Sequence, residues 1–133
     1  LSNYSPEAVE RIKKIARVQP VLNQVEIHPY NSKYQRVAAY EQQGLKVQAW
    51  SPLGAGRQGV IRDPAIAEIA SAHGKTAAQV ILRWDLQRGL ITIPRSKNPK
   101  HLEENISIFD FKLSDEEMKK IDSLNKDEAL WDI

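Results

Sequence analysis

The chain has 133 residues, of which 41% are hydrophobic and 27% charged, so its composition is that of one small globular domain. Its 19 basic and 17 acidic residues give a formal net charge of +2, mixed along the chain, which argues against a nucleic-acid partner. The chain has no cysteine and no apolar run near the ~20 residues of a membrane span, so we expect a cytoplasmic protein that binds neither metal nor membrane.

The first half of the chain alternates predicted helices and strands. Residues 1–3 are typical of the end of a strand whose beginning is missing, so we expect the N-terminus to be a cut. A helix starts at Ser5, because a capping serine is followed by proline and by an acid in the first turn. Apolar spacing then predicts a strand over residues 21–27, a helix over about 33–43 and a strand over 45–50.

The second half is predicted to contain a loop, four helices, one short strand and a tail. Proline after Asp or Asn starts two of these helices, and capping boxes start the other two. In chain order the elements are the loop 51–59, helices from 64 to about 74 and from 77 to about 88, the strand 90–93, helices 99–106 and from 115 to about 124, and the tail 126–133.

This alternation implies βα units and parallel strands, and hence an α/β fold. Polar clusters at residues 2–3, 23–24, 50–51 and 95–96 are each expected at or near the carboxyl end of a strand. That arrangement suits either a βα barrel or an open doubly wound sheet. About four βα units would make half of an eight-unit barrel, and half a barrel has open edges that need a partner.

The last predicted strand leads into a candidate anion site. Pro94 ends the strand because it has no N–H for a sheet ladder. Arg95, Ser96 and Lys97 follow, and Asn98 then caps the next helix. Two cations, a hydroxyl and the free N–H groups of a helix start favour a phosphate group. The alternative is a solvated basic loop without a ligand.

Several motifs together resemble one known family. They are Leu-Ser-Asn-Tyr-Ser at residues 1–5, Asn-Gln-Val-Glu-Ile-His-Pro-Tyr at 23–30, Ala-Trp-Ser-Pro-Leu-Gly at 49–54, and Ile-Pro-Arg-Ser at 93–96 with Glu-Asn at 104–105. In order and spacing they resemble the C-terminal half of an aldo-keto reductase. The resemblance implies a (β/α)8 TIM barrel that binds NADPH and transfers hydride to an aldehyde or ketone. Residues 1–133 would then be the cofactor-binding C-terminal half of the barrel, without its N-terminal half.

The resemblance assigns cofactor contacts position by position. Ser2, Asn3 and Gln24 match residues that hydrogen-bond the nicotinamide carboxamide, and Trp50 matches the aromatic residue that stacks on the nicotinamide ring. The loop over the pyrophosphate is matched by Ser51, Leu53 and Gly54. The remaining matches are Arg95, Ser96, Lys97 and Asn98 at the adenosine 2′-phosphate and Glu104 and Asn105 at the adenine.

One position departs from the family pattern. His101 stands where the family usually has arginine, and an imidazole lacks the fixed charge of a guanidinium. We therefore expect NADPH to be preferred and NADH to be tolerated to some extent. Of the other candidates, His28 and Trp84 are predicted to be structural, and His73 is predicted to lie at a helix end on the surface.

No catalytic residue can be assigned within this chain. The family's proton-donating tyrosine and its lysine, aspartate and histidine partners belong to the N-terminal half. The tyrosines at positions 4, 30, 34 and 40 do not match the catalytic one, so the chain alone is predicted to be inactive. The partners expected are a small carbonyl substrate and the N-terminal half. Two alternatives are a non-catalytic nucleotide-sensing or interaction protein and a half-barrel that assembles with itself.

Overall fold

Three short parallel strands form the sheet of this α/β fold. The computed structural model describes residues 1–57 and 59–131 and places β1 at Leu22–Glu26, β2 at Lys46–Trp50 and β3 at Ile91–Thr92, in the order β1-β2-β3. Ser2 also forms a parallel bridge to Gln24, so the N-terminal segment runs beside β1. Four parallel segments therefore lie side by side. Gln58 of the predicted loop and residues 132–133 of the predicted tail lie outside the described residues.

Five of the helices begin at capping residues that the sequence predicts, and α2 begins after Lys33 without a side-chain cap. Thr76 and Ser114 each form a complete capping box, and Ser5, Asp63 and Asn98 accept a hydrogen bond from the first helical turn. The helices are α1 Pro6–Ile15, α2 Tyr34–Gln42, α3 Pro64–His73, α4 Ala77–Gln87, α5 Pro99–Ile106 and α6 Asp115–Asp122. None of the helices in the described ranges combines the length and hydropathy that a membrane span requires.

Two expectations about the strands need correction. Residues 23–24 lie inside β1, not at its carboxyl end, because the strand continues to Glu26. Gln24 is nevertheless beside the end of the N-terminal segment, since the Asn3 N–H donates to the Gln24 carbonyl at 2.8 Å. The predicted strand 90–93 has only two strand residues, because the Leu90 N–H donates to Asp85 at the end of α4 and Pro94 follows immediately.

The loop after β2 contains local structure that the sequence did not predict. Two 3₁₀ turns occupy Gly54–Gly56 and Val60–Arg62. Gly54 is buried and has φ +67°, a conformation that glycine adopts without steric cost.

The two faces of the sheet differ in what covers them. Val47 and Ala49 of β2 are buried in the core beneath the helices, together with Trp84 of α4. The side chains that alternate with them, Gln24 and Gln48, point to the opposite face and are only half-buried. Ile91, which pairs with Gln48 on that face, is 41% exposed. The sheet therefore has one helix-covered face and one open face.

Candidate functional site

One cluster forms where the N-terminal segment meets β1 and β2. Trp50 is half-buried at the end of β2, and its Nε1 donates to Asn3 Oδ1 at 2.9 Å. Gln24 Nε2 donates to Gln48 Oε1 at 2.6 Å across the open face. Ser2 lies beside Gln24 through the parallel bridge. We call Ser2, Asn3, Gln24, Gln48 and Trp50 the Trp50 cluster.

Two neighbouring segments of the cluster each carry a side-chain amide with one unused hydrogen-bonding atom, a donor on one and an acceptor on the other. Among the described residues, Asn3 Nδ2 and Gln24 Oε1 make no hydrogen bond, although the other polar atom of each amide does. An amide ligand needs both an acceptor and a donor from its site. Asn3 has φ +57°, which turns the chain sharply after the bridge at Ser2. The donor set therefore fits a carboxamide next to an aromatic ring.

The loop after Trp50 stays close to the cluster. Ser51 has φ +48°, and its carbonyl accepts from the buried Gly54 N–H at 2.9 Å. Leu53 packs against the hydrophobic core, which fixes the loop to the body of the domain. Three residues predicted to cover a pyrophosphate thus form one tight turn beyond β2.

The second group of predicted residues follows β3. Ser96 Oγ accepts from the Asn98 N–H at 3.0 Å, and Asn98 Oδ1 caps α5 by accepting from the Lys100 N–H at 3.0 Å. Arg95 and Lys97 are exposed, and neither forms an ion pair or a hydrogen bond within residues 1–57 and 59–131. We call residues 95–98 the Arg95 loop. It presents two unpaired cations and a helix start, which suits a dianion.

The remaining predicted residues lie on α5. His101 is exposed one turn into the helix, and Asn105 is half-buried. The Glu104 carboxylate lies 4.0 Å from Lys100 Nζ, and its backbone carbonyl accepts from Gln79 Nε2 at 3.1 Å. The Trp50 cluster and the Arg95 loop are connected by the β2–β3 pairing, in which Ala49 is opposite Thr92.

The C-terminal segment adds residues to the site that the sequence analysis did not assign. Trp131 packs on Trp50 with ring centroids 5.4 Å apart, and Arg57 lies 4.8 Å above the Trp131 ring. The segment is held by the Tyr30 carbonyl, which accepts from the Lys126 and Glu128 N–H groups at 3.0 and 3.1 Å. It therefore covers the carboxyl end of the open sheet face.

A buried carboxylate at the end of β1 holds this segment in place. Glu26 is 1% exposed, and its Oε1 accepts from His28 Nε2 at 3.0 Å, from Asn31 Nδ2 at 3.2 Å and from the Leu130 N–H at 2.7 Å. Burial lowers the pKa of His28, against the opposing effect of Glu26, so the imidazole is favoured as a neutral donor. His28 is thus structural, as predicted, and it connects β1 to the C-terminal segment.

Trp84 packs in the core as predicted, and His73 lies at a helix end as predicted but is half-buried. Trp84 is fully buried, and its Nε1 donates to Asp122 at 2.7 Å, which joins α4 to α6. His73 is the last residue of α3, where its Nε2 lies 2.9 Å from Glu117.

A cavity of about 820 Å³ is lined in part by the C-terminal segment. Its lining includes Lys33 and Arg36 at the start of α2, Asp122, Asp127 and Trp131. Burial is the main cause of a lowered pKa at Lys33. None of the predicted cofactor residues lines this cavity, so it is separate from the Trp50 cluster and the Arg95 loop.

Sequence reasoning missed Gln48 and Trp131. Gln48 alternates with buried residues in β2, and a polar residue in such a position is the only local signal for it. Trp131 had no local signal, because its partners Trp50 and Arg57 are more than 70 residues away in the chain.

Comparison with known proteins gives one consistent result. The Aldo/keto reductase family model matches residues 1–126. The 9,11-endoperoxide prostaglandin H2 reductase of Trypanosoma cruzi (strain CL Brener) is 40% identical over 131 residues, which are 98% of this chain and 46% of that protein. The glyoxal reductase of Bacillus subtilis (strain 168) is 44% identical over 130 residues, with the same two coverages.

Solved structures agree with the sequence comparison. The Bombyx mori aldo-keto reductase in complex with NADP superposes with a TM-score of 0.89 and 34% identity, covering 99% of this chain and 46% of that one. The chain thus spans about half the length of the relatives that it matches. Because the family model covers nearly all of its residues, this chain belongs to the aldo/keto reductase family.

Proposed function

We propose that this chain is the NADPH-binding half of a carbonyl reductase. The observation that carries the proposal is the position of the Trp50 cluster and the Arg95 loop on the adjacent strands β2 and β3. One offers an aromatic ring with a free amide donor and acceptor, and the other offers two unpaired cations at a helix start. A dinucleotide that carries an extra phosphate matches both ends of this arrangement.

At the nicotinamide end, the protein's task is to orient a flat ring. Trp50 supplies a planar surface whose orientation is fixed by the bond to Asn3, and Gln24 is held by Gln48. When bound, the reduced nicotinamide supplies the hydride that reduces the carbonyl carbon. Asn3 and Gln24 would decide which face of the ring points to the substrate, because together they complement both polar atoms of its carboxamide.

At the adenosine end, the residues select for charge. Arg95 can hold a phosphate through two parallel N–H donors, Lys97 adds a point charge, and Ser96 adds a hydroxyl. Glu104 and Asn105 on α5 are within the same helix and are proposed to contact the adenine. The NADP complex of the Bombyx mori relative supports a cofactor that carries the 2′-phosphate.

The open face of the sheet supports a partner that completes the barrel. Gln24, Gln48 and Ile91 lie on this face without a covering layer among the described residues. We propose that further βα units, corresponding to the N-terminal half of the relatives, cover this face and supply the proton donor. The substrate would be a small aldehyde or ketone.

A second copy of the chain is the alternative occupant of the same face, because Ile91 and Ile93 are 41% and 39% exposed there. Light scattering separates the two cases. A stable dimer in solution supports a half-barrel that assembles with itself. A monomer that associates with the added N-terminal half of a relative supports a chain that is the cofactor-binding half of a larger barrel.

Trp50→Ala should weaken NADPH binding by about 1 kcal/mol or more, because stacking of aromatic rings contributes about 0.5–1.5 kcal/mol beyond area burial. The measurement is the dissociation constant of NADPH by calorimetry, with Trp50→Phe as the matched variant that retains a ring. Unchanged affinity in a folded Trp50→Ala protein would exclude a stacking role.

The 133-residue chain alone should show no carbonyl reductase turnover. It has no matched acid to protonate the developing alkoxide, and general acid catalysis is typically worth about 10²–10⁴-fold. NADPH consumption with a panel of aldehydes measures this directly. Robust turnover by the purified chain would contradict the proposal, and bound NADPH without turnover also permits a nucleotide-sensing module.

Arg95→Gly should shift cofactor preference toward NADH, and His101→Arg should shift it toward NADPH. A charged hydrogen bond contributes about 1.5–3 kcal/mol, and only NADPH has the phosphate that receives it. The ratio of dissociation constants for NADH and NADPH is the readout, with Arg62→Gly as a control for loss of an exposed arginine elsewhere. If Arg95→Gly leaves the ratio unchanged, the phosphate site lies elsewhere.

A further inference from the structure

Asp85, a buried residue of α4, accepts two hydrogen bonds from the segment that leads to the Arg95 loop. Asp85 is fully buried on α4, and its backbone carbonyl accepts from the Leu90 N–H at 3.0 Å. This bond closes the turn between α4 and β3, in which Gly89 has φ +75°. The starting point of β3 is therefore set by the main chain of Asp85.

The side chain of Asp85 holds the next part of the same strand. Thr92 Oγ1 donates to Asp85 Oδ2 at 2.8 Å, from the face of β3 that is turned toward α4. Asp85 Oδ1 is buried and has no hydrogen-bond partner among the described residues. The Thr92 hydroxyl is thus the hydrogen-bond donor that the described structure provides to this carboxyl group.

β3 has few other bonds that could fix it. It consists of two residues, and its ladder to β2 is limited to the pairs Gln48–Ile91 and Ala49–Thr92, followed by a long 3.3 Å bond from the Ile93 N–H to the Ala49 carbonyl. So short a strand has little register information of its own. The side-chain hydrogen bond of Thr92, the last residue of β3, therefore contributes a large part of what holds the strand in place.

The consequence reaches the Arg95 loop within three residues. Pro94 has a fixed φ, so one of the backbone torsions between Ile93 and Arg95 is set by the proline ring. Burial is the main cause of a raised pKa at Asp85, to about 7, while Thr92 and Arg88 oppose it, so the fold bears a cost for keeping this carboxyl group inside. An apolar residue at position 85 would avoid that cost but could not hold Thr92.

We propose that Asp85 is a positioning residue for cofactor selection, which holds Thr92 so that Arg95 is placed to meet the 2′-phosphate. This inference rests on the proposed function, in which the Arg95 loop binds the extra phosphate of NADPH. Asp85 acts through Thr92 and does not contact the cofactor. Its effect is therefore on the discrimination between NADPH and NADH and not on dinucleotide binding in general.

The test is the ratio of dissociation constants for NADH and NADPH, measured on the full 133-residue chain. Thr92→Val keeps the shape of the side chain and removes the hydroxyl. It should lower this ratio about tenfold, the effect of losing one charge-assisted hydrogen bond between Arg95 and the 2′-phosphate. Asp85→Ala should lower the ratio by a similar factor. Thr92→Ser keeps the hydroxyl and Asp85→Asn keeps an acceptor, so both should restore the ratio toward the wild-type value.

Three results would overturn the proposal. The first is an equal loss of affinity for NADH and NADPH in Thr92→Val, which would show a merely structural role. The second is an unchanged ratio of the two dissociation constants in Thr92→Val. The third is failure of Thr92→Ser and Asp85→Asn to keep the ratio near its wild-type value. If the wild-type chain binds neither cofactor, the proposed function itself has failed. Amide hydrogen exchange then decides on the positioning role alone: exchange over residues 95–98 should be faster in Thr92→Val than in the wild type, and equal exchange rates would refute it.

Discussion

Glu26→Ala should lower the free energy of unfolding by about 3 kcal/mol or more. The Glu26 carboxylate accepts three hydrogen bonds, from His28, Asn31 and Leu130, and it is 1% exposed. Each buried donor that loses its partner costs about 1–3 kcal/mol unless water reaches it. Urea unfolding followed by circular dichroism gives the free energy.

The same substitution should release the C-terminal segment from the Trp50 cluster. Leu130 precedes Trp131, so loss of its bond to Glu26 should separate the Trp131 and Trp50 rings, which are 5.4 Å apart in the wild type. The tryptophan emission spectrum should then shift to longer wavelength. Glu26→Gln is the matched control, because it keeps Oε1 as an acceptor and should lose less stability. Equal losses in the two variants would show that the hydrogen bonds of Glu26 are not what stabilises the segment.

Asp85→Asn should make the protein more stable than the wild type at pH 8, although it alters the core. The pKa of Asp85 is raised from its ordinary value of 3.8 to about 7, first by burial. Since the folded-state pKa is the higher one, the unfolded chain releases its proton first. The contribution of this group to stability is therefore complete below about pH 4 and is lost as the pH rises toward about 7.

The size of this effect follows from the shift. A shift of about three units corresponds to about 4 kcal/mol, and the orphaned amide donor that asparagine introduces should offset a part of it. The free energy of unfolding at pH 4, 6 and 8 is the measurement, with Asp115→Asn as a control at an exposed carboxyl group. We expect the wild type to lose stability relative to Asp85→Asn between pH 4 and 7. Parallel pH profiles for the two proteins would mean that Asp85 titrates normally.

Local residue chemistry determined much of the fold. Capping serine, threonine, aspartate and asparagine residues, each followed by proline or a helix-forming turn, fixed the starts of five helices, because these interactions involve residues two or three apart. The spacing of apolar residues likewise predicted β1 and β2, which the structure places at Leu22–Glu26 and Lys46–Trp50. The parallel sheet followed from the alternation of strands and helices. The length of β3 was predicted wrongly, since the Leu90 N–H bonds to Asp85 before the strand and Pro94 has no N–H after it.

The candidate site was likewise predicted in part from local sequence and in part only from the structure. The Arg95 loop could be predicted as an anion site from residues 94–99 alone, since cations, hydroxyl and helix start are contiguous there. The proposed cofactor contacts of Ser2, Asn3, Gln24 and Trp50 came from the family resemblance, and the hydrogen-bond partners of these residues came only from the structure. Gln48 became part of the site because strand register places it opposite Gln24.

The sequence by itself determined the helices, the order of the βα units and the family, and it predicted an anion site at the Arg95 loop. Only the tertiary structure decided that Glu26 binds Leu130, 104 residues away, that Trp131 covers Trp50, and that Asp85 holds Thr92. The reason is physical: caps and periodicity act over a few residues, whereas buried polar groups find partners wherever the packed chain brings a donor near an acceptor.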